Sequence, residues 1–274
     1  MQTQTEGRSS GQASRDNRLR VVGTALRGLV LVAAVACLVF PAGAADENFH
    51  QIYPLAAGGS FALENVNGSV QVEGWNRDEV EVSAVKTAGS DSRDLEQVKI
   101  EVDHSHPGEV AVHTRYPQGQ GAEVAVEYHV HVPYRILLGS IETVNGSVTV
   151  RGVEGGGELR SVNGNVEVFD SSGRFSEKTT NGNLRLELRQ LMAGGPMNLE
   201  TVNGSVVLGL PEGARADLNV LAMNGDFYSE LPVTSAASQS AARAYHAKLG
   251  AGGGEISVRT INGGIRLVVQ RPGV

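Results

Sequence analysis

The residues best suited to chemistry in this 274-residue chain are five of its seven histidines. His104 and His106 are two apart, as are His129 and His131, and on a β-strand each pair projects from one face. His113 falls on a segment between them. If those strands are neighbours, three or four imidazoles converge into a set able to ligate zinc or copper. No acidic or cysteine ligand motif accompanies them, so a polar strand face open to water explains the same spacing. Other signatures of catalysis are missing. There is no Gly-x-Ser-x-Gly elbow, and no Gly-rich phosphate loop leads into a helix. Glu142, Glu167 and Glu187 are scattered over outward strand positions. A polysaccharide lyase or hydrolase needs its carboxylates grouped in one groove. No catalytic residue and no cofactor is implied.

The elements that must position these side chains are set by a repeat. Asn-Gly pairs stand at Asn67-Gly68, Asn145-Gly146, Asn163-Gly164, Asn181-Gly182, Asn203-Gly204, Asn224-Gly225 and Asn262-Gly263. From Asn145 the steps are 18, 18, 22 and 21 residues, then 38, about two periods. Four positions before the Asn stand Leu63, Ile141, Leu159, Glu177, Leu199, Val220 and Val258. Three positions after it stand Val70, Val148, Val166, Leu184, Val206, Phe227 and Ile265, and five after it Val72, Val150, Val168, Leu186, Leu208, Ser229 and Leu267. Two positions before it most copies carry a small or β-branched residue, as in Thr143, Ser161, Thr179, Thr201, Ala222 and Thr260. Spacing by two on both sides is strand periodicity, and a period this short means stacked β units.

Asn-Gly accepts positive φ at both positions, which suits a hairpin turn or a sharp corner. An antiparallel meander and a β-solenoid both satisfy the pattern. The solenoid is favoured because equivalent apolar residues recur at equivalent places and can stack into one column. Its corner asparagines could form a ladder, each amide bonding its neighbour's backbone. A ladder confined to the regular coils makes Asn145→Ala costlier than Asn67→Ala. The Asn-Gly-Ser sequences at Asn67, Asn145 and Asn203 read as turn chemistry rather than glycosylation.

Residues 1–44 read as a signal peptide. Arg15, Arg18, Arg20 and Arg27 precede a twelve-residue apolar stretch, Leu29 to Phe40, and Pro41-Ala42-Gly43-Ala44 supplies small residues for cleavage before Ala45. That stretch falls short of the roughly 20 residues of a membrane span. Cys37, the one cysteine, lies inside it, and Leu38-Val39-Phe40 continue the apolar run, which argues against lipidation. Cleavage leaves a chain without disulfide or thiolate chemistry. Loss of the leader's five arginines and two acids moves the net charge from −7 to −10. That balance argues against nucleic acid as a partner, and 5% aromatics leave few stacking platforms for bases or sugars.

Residues 45–136 read as a less regular N-terminal β region, and 137–269 as the regular solenoid array. A loop insertion at 232–254 holds a short helical turn at 241–247, and one last coil follows it. A tail, 270–274, ends the chain, where Arg271-Pro272 blunts the exposed edge.

The motif Leu63-Glu64-Asn65-Val66-Asn67-Gly68-Ser69-Val70 followed by Gly74-Trp75 resembles the bacterial toast-rack family, adhesin-like β-strand-repeat domains of unknown function. So do Val132-Pro133 ahead of Ile141 to Val148, and Gly252-Gly253-Gly254 ahead of Ile256 to Ile265. The resemblance implies β-helical architecture in the cell envelope and transfers no catalytic residue. The resulting expectation is an all-β solenoid, periplasmic or secreted, acting as a non-enzymatic scaffold, adhesin-like or binding module. Its partner would be an envelope protein or a glycan, and it keeps no membrane span after cleavage. A carbohydrate-active enzyme on the same architecture and a metal-binding periplasmic protein are the alternatives.

Overall fold

A computed structural model of the chain describes residues 46–89, 92–117, 123–192, 194–237 and 243–270. The expected leader with Cys37, and Arg271-Pro272, lie outside them. The N-terminal part contains β1 (Asp46–Pro54), β2 (Ser60–Glu64), β3 (Val70–Trp75), β4 (Glu79–Ala88), the single helical turn α1 (Asp94–Gln97), β5 (Lys99–Asp103), β6 (Glu109–Arg115) and β7 (Val124–Pro133). The array follows as β8 (Arg135–Asn145), β9 (Val148–Arg151), β10 (Glu154–Asn163), β11 (Val166–Asn181), β12 (Leu184–Leu191), β13 (Met197–Asn203) and β14 (Val206–Leu210). The chain ends with β15 (Ala216–Asn224), β16 (Phe227–Ser229), β17 (Val233–Ala237), β18 (Arg243–Leu249), β19 (Gly254–Asn262) and β20 (Ile265–Val269).

The solenoid, not the meander, is formed. Strands that lead into an Asn-Gly corner stack in parallel as one layer, in the order β2, β8, β10, the second half of β11, β13, β19, β15. Strands that leave the corners stack as the other, in the order β3, β9, the first half of β11, β12, β14, β20, β16. The apolar residues predicted inward from the repeat meet between the two layers. Leu63, Ile141, Leu159, Leu199, Val258 and Val220 form one column, and Val70, Val148, Val166, Leu184, Val206 and Ile265 face it, each at most 3% exposed. Antiparallel strands close the ends. β1, β4 and β7 pair alongside β3, and β5 and β6 alongside β2. Lys86 of β4 is buried, donates to the Leu95 and Val98 carbonyls and pairs with Glu47, which holds α1 against the sheet.

Three expectations are corrected. The last coil, β19 and β20, does not lie at the end of the stack. It intercalates between β13–β14 and β15–β16, so the sequence order of coils is not their spatial order. The segment expected as a loop insertion with a helical turn contains β17 and β18, an antiparallel pair that caps β15. Alternation at Tyr245, Ala247 and Leu249 fits a strand that has a neighbour to bury against, and β15 supplies it. Finally, the corners do not use positive φ at both positions. No corner Asn has it, and among the corner glycines only Gly68 and Gly263 do.

What the corners need instead is room. Six corner glycine N–H groups donate to the Asn carbonyl of the next coil, from Gly68 to Asn145, Gly146 to Asn163, Gly164 to Asn181, Gly182 to Asn203, Gly204 to Asn262 and Gly263 to Asn224, at 2.8–3.3 Å. A Cβ on Gly164 would lie 2.0 Å from the Gly146 carbonyl oxygen, and one on Gly182 2.0 Å from that of Gly164. The ladder is also larger than expected and runs through different atoms. All seven asparagines join it, amide to amide, in the order Asn67, Asn145, Asn163, Asn181, Asn203, Asn262, Asn224, at 2.8–2.9 Å. Beneath it Thr143, Ser161, Thr179, Thr201 and Thr260 each donate a hydroxyl to the corner glycine carbonyl of the preceding coil, at 2.8–2.9 Å. In the first coil Asn65 takes this place, and its longer amide reaches the Val126 carbonyl of β7 at 2.9 Å.

Two predictions follow from this packing. Gly164→Ala destabilises by about 3 kcal/mol, because the clash is with backbone, whereas Gly213→Ala, with open space around it, is tolerated. Asn163→Ala breaks two ladder bonds and Asn224→Ala one, so chemical denaturation gives the first about twice the loss of the second, each bond contributing about 1 kcal/mol or less. Glu177 supplies the other test. It replaces an aliphatic residue in the core column between Leu159 and Leu199, is 1% exposed, and neither carboxyl oxygen has a partner. Burial, then Glu167, raises its pKa well above the usual carboxylate range. Below the unfolded-state value of about 4.3 both states are protonated, and as pH rises through the interval up to the folded value the unfolded state ionises first, so stability falls. Glu177→Leu therefore raises the melting temperature at pH 7, by about 2 kcal/mol of stability, and the gain shrinks as the pH is lowered to 4.

Candidate binding rim and histidine–carboxylate cluster

Two outward features stand out among the described residues. The first is a rim. The residue just before each corner Asn points outward, giving a row of Val66, Val144, Val162, Thr180, Val202, Ile261 and Met223 beside the Asn ladder. Val144, Val162, Ile261 and Met223 are 38–52% exposed. Two positions further back on the same strands runs a charged row, in which Arg160 pairs with Glu142 and Lys178 with Glu200. Between these rows lies a groove of about 600 Å³, bounded at one end by Thr114 and Arg115 of β6. Its carboxylates are engaged. Glu142 accepts from Ser140 and Arg160, and Glu64 pairs with His113 at 2.9 Å.

The second feature lies on the outer face of the other layer. β7 sits between parallel β3 and antiparallel β4, and the ladder places His131 opposite Glu73 on one side and Glu81 on the other. The Nε2 atoms of His129 and His131 approach the same Glu73 oxygen, at 3.8 and 3.7 Å. The Nδ1 atom of His131 faces Glu81 at 3.5 Å, and Glu81 also pairs with His50 of β1 at 3.6 Å. Trp75 stacks on the His131 ring, with centroids 4.9 Å apart and planes 14° from parallel.

The five histidines expected to converge do not. His104 and His106 fall in the turn between β5 and β6 rather than on a strand, and β6, which carries His113, pairs with β2 and β5 while β7 pairs with β3 and β4, so the segments are not neighbours. His113 turns to Glu64, His104 packs against Tyr53, and His106 contacts Ser105. Only His129 and His131 meet, and they meet carboxylates. Glu73, Glu81, His50 and Trp75 were not legible as partners, because the pairings of β7 with β3 and β4 are set by tertiary structure. The rim row, by contrast, stands in the repeat register.

The architecture is that of an all-β solenoid with long, regular outward faces. The chain belongs to the Toastrack DUF4097 family, which matches residues 59–268. Among solved structures it is similar to a proposed cell adhesion protein from Clostridium sporogenes, at 11% identity over 81% of this chain and 99% of the other, with a TM-score of 0.44. It is also similar to a proposed adhesin from Bacteroides fragilis, at 10% identity over 81% and 97%, with a TM-score of 0.42. A third, a proposed lipid-binding protein from Parabacteroides distasonis, is 8% identical over 81% and 96%, with a TM-score of 0.24. No curated protein sequence matches the chain. Among the described residues no helix is long and apolar enough to cross a membrane.

Proposed function

We propose that this protein is an exported, non-enzymatic binding module of the cell envelope that offers the rim of its solenoid to a protein partner. The observation that carries the reading is the row of Val66, Val144, Val162, Thr180, Val202, Ile261 and Met223, which runs over seven coils with Val144, Val162, Ile261 and Met223 exposed and the other three half-buried. A contiguous apolar strip flanked by charge is the usual composition of a contact surface. Side chains of this type favour protein over glycan, which is held by aromatic faces and hydroxyl-directed polar groups. The leader features of residues 1–44 support export, and the engagement of the groove's two carboxylates, Glu142 by Ser140 and Arg160 and Glu64 by His113, supports a non-enzymatic role.

Photo-crosslinking in cells tests this. A photoreactive amino acid at Val162 gives a discrete crosslinked product with an envelope protein, and the same probe at Thr149, on the opposite layer, does not. Val144→Asp combined with Ile261→Asp removes the product while the melting temperature stays within about 2 °C, as expected for surface substitutions. No product from the rim, or equal products from both faces, contradicts the proposal. The mature N-terminus found by mass spectrometry should be Ala45.

A further inference from the structure

We propose that Glu73, His129 and His131 form a binding site for a divalent transition-metal ion of the zinc type, on the face opposite the rim. The donor atoms of these three side chains lie within 4.8 Å of one another. Ligands about 2.0–2.1 Å from a common zinc ion stand about 3.3 Å apart in a tetrahedron. The two Nε2–Oε2 separations of 3.7 and 3.8 Å therefore need only a small side-chain rotation to enclose an ion.

An accidental meeting of surface groups would not orient them this way. Glu81 lies 3.5 Å from the Nδ1 atom of His131, so that a slight approach forms the hydrogen bond by which a carboxylate fixes the tautomer and leaves Nε2 as the metal ligand. Trp75 stacked on the ring fixes its plane. The backbone ladder sets the remaining geometry, since His129 and His131 share one face of β7 and Glu73 lies directly across from His131. Two imidazoles and one carboxylate are a borderline donor set, suited to Zn²⁺ and to Cu²⁺ and poorly suited to Ca²⁺ or Mg²⁺, which require more oxygen ligands. All three ligands are partly exposed, with relative side-chain exposures of 45% for His129, 28% for His131 and 43% for Glu73. The fourth position of the ion therefore opens to solvent, where water or a donor from a bound molecule completes it.

Isothermal titration of the tag-free protein with zinc chloride, and separately with calcium chloride, tests the site. The expected result is saturable binding of one Zn²⁺ per chain and none of Ca²⁺. Affinity falls at least about tenfold in His131→Ala and in Glu73→Gln, and measurably in Glu81→Gln, since partners of a ligand typically contribute about 10–100-fold. The double variant His104→Ala/His106→Ala binds as the parent does. Circular dichroism of each variant verifies that these outward substitutions leave the fold intact. Absence of saturable zinc binding overturns the proposal. So does zinc binding that survives His131→Ala and Glu73→Gln unchanged, because the ion is then held elsewhere.

Discussion

The structure depends on how closely one corner can approach the next. At six of the seven Asn-Gly pairs the glycine Cα lies so near the carbonyl of a neighbouring corner glycine that a Cβ would fall 1.8–2.1 Å from its oxygen, and at Gly68 the Val126 carbonyl of β7 takes that place at 2.2 Å. Only glycine allows that approach, and the approach brings the rest into register. Glycine N–H groups reach the neighbouring Asn carbonyls, the Asn amides join into one seven-membered chain, and the Thr and Ser hydroxyls beneath satisfy the corner carbonyls. Corner backbone that would otherwise be an unpaired liability is bonded from coil to coil. The aliphatic columns behind it then stack without offset, so burial and hydrogen bonding specify the same register.

Much of this was legible in the sequence. Positions −4, −2, +3 and +5 named the inward residues correctly around every Asn but Asn224, where Phe227 and Ser229 are only half-buried, because the strand period is fixed by backbone geometry and needs no knowledge of neighbours. The same local logic misjudged the glycines. Their local virtue is conformational freedom, but in five of seven corners their φ is not positive, and what matters is space that a neighbouring coil occupies. The position of β19–β20 was hidden for a related reason. Its corner motif fits any slot in the stack, and nothing in Asn262-Gly263 says that the slot lies between Asn203 and Asn224. Glu73 and His131, 58 residues apart, are joined only by the pairing of β3 with β7.

The two outward features lie on different layers and draw on different consequences of the solenoid. The rim is a product of repetition: one outward position per coil, copied through seven coils, becomes a strip. The histidine–carboxylate cluster arises where repetition stops. β4 and β7 run antiparallel there, and β7 brings side chains of β3 and β4 together across its two edges. Glu177 marks a third departure, a carboxyl where the column calls for an aliphatic group, and it weakens the array at neutral pH without touching either surface.

Corner stacking, rather than sequence order, determines where each coil sits, and disulfide trapping distinguishes the two. In a Cys37→Ser background the chain has no other thiol. Glu200 lies opposite Arg259, and Arg259 opposite Leu221, so β19 separates Glu200 from Leu221. Adjacent strands are about 4.8 Å apart, within disulfide reach, and strands two apart are at about 9.6 Å, beyond it. The structure predicts that Glu200→Cys/Arg259→Cys oxidises rapidly to a disulfide and that Glu200→Cys/Leu221→Cys does not. The reverse outcome, with the second pair crosslinking and the first remaining reduced, would mean that the coils stack in sequence order and would contradict the account.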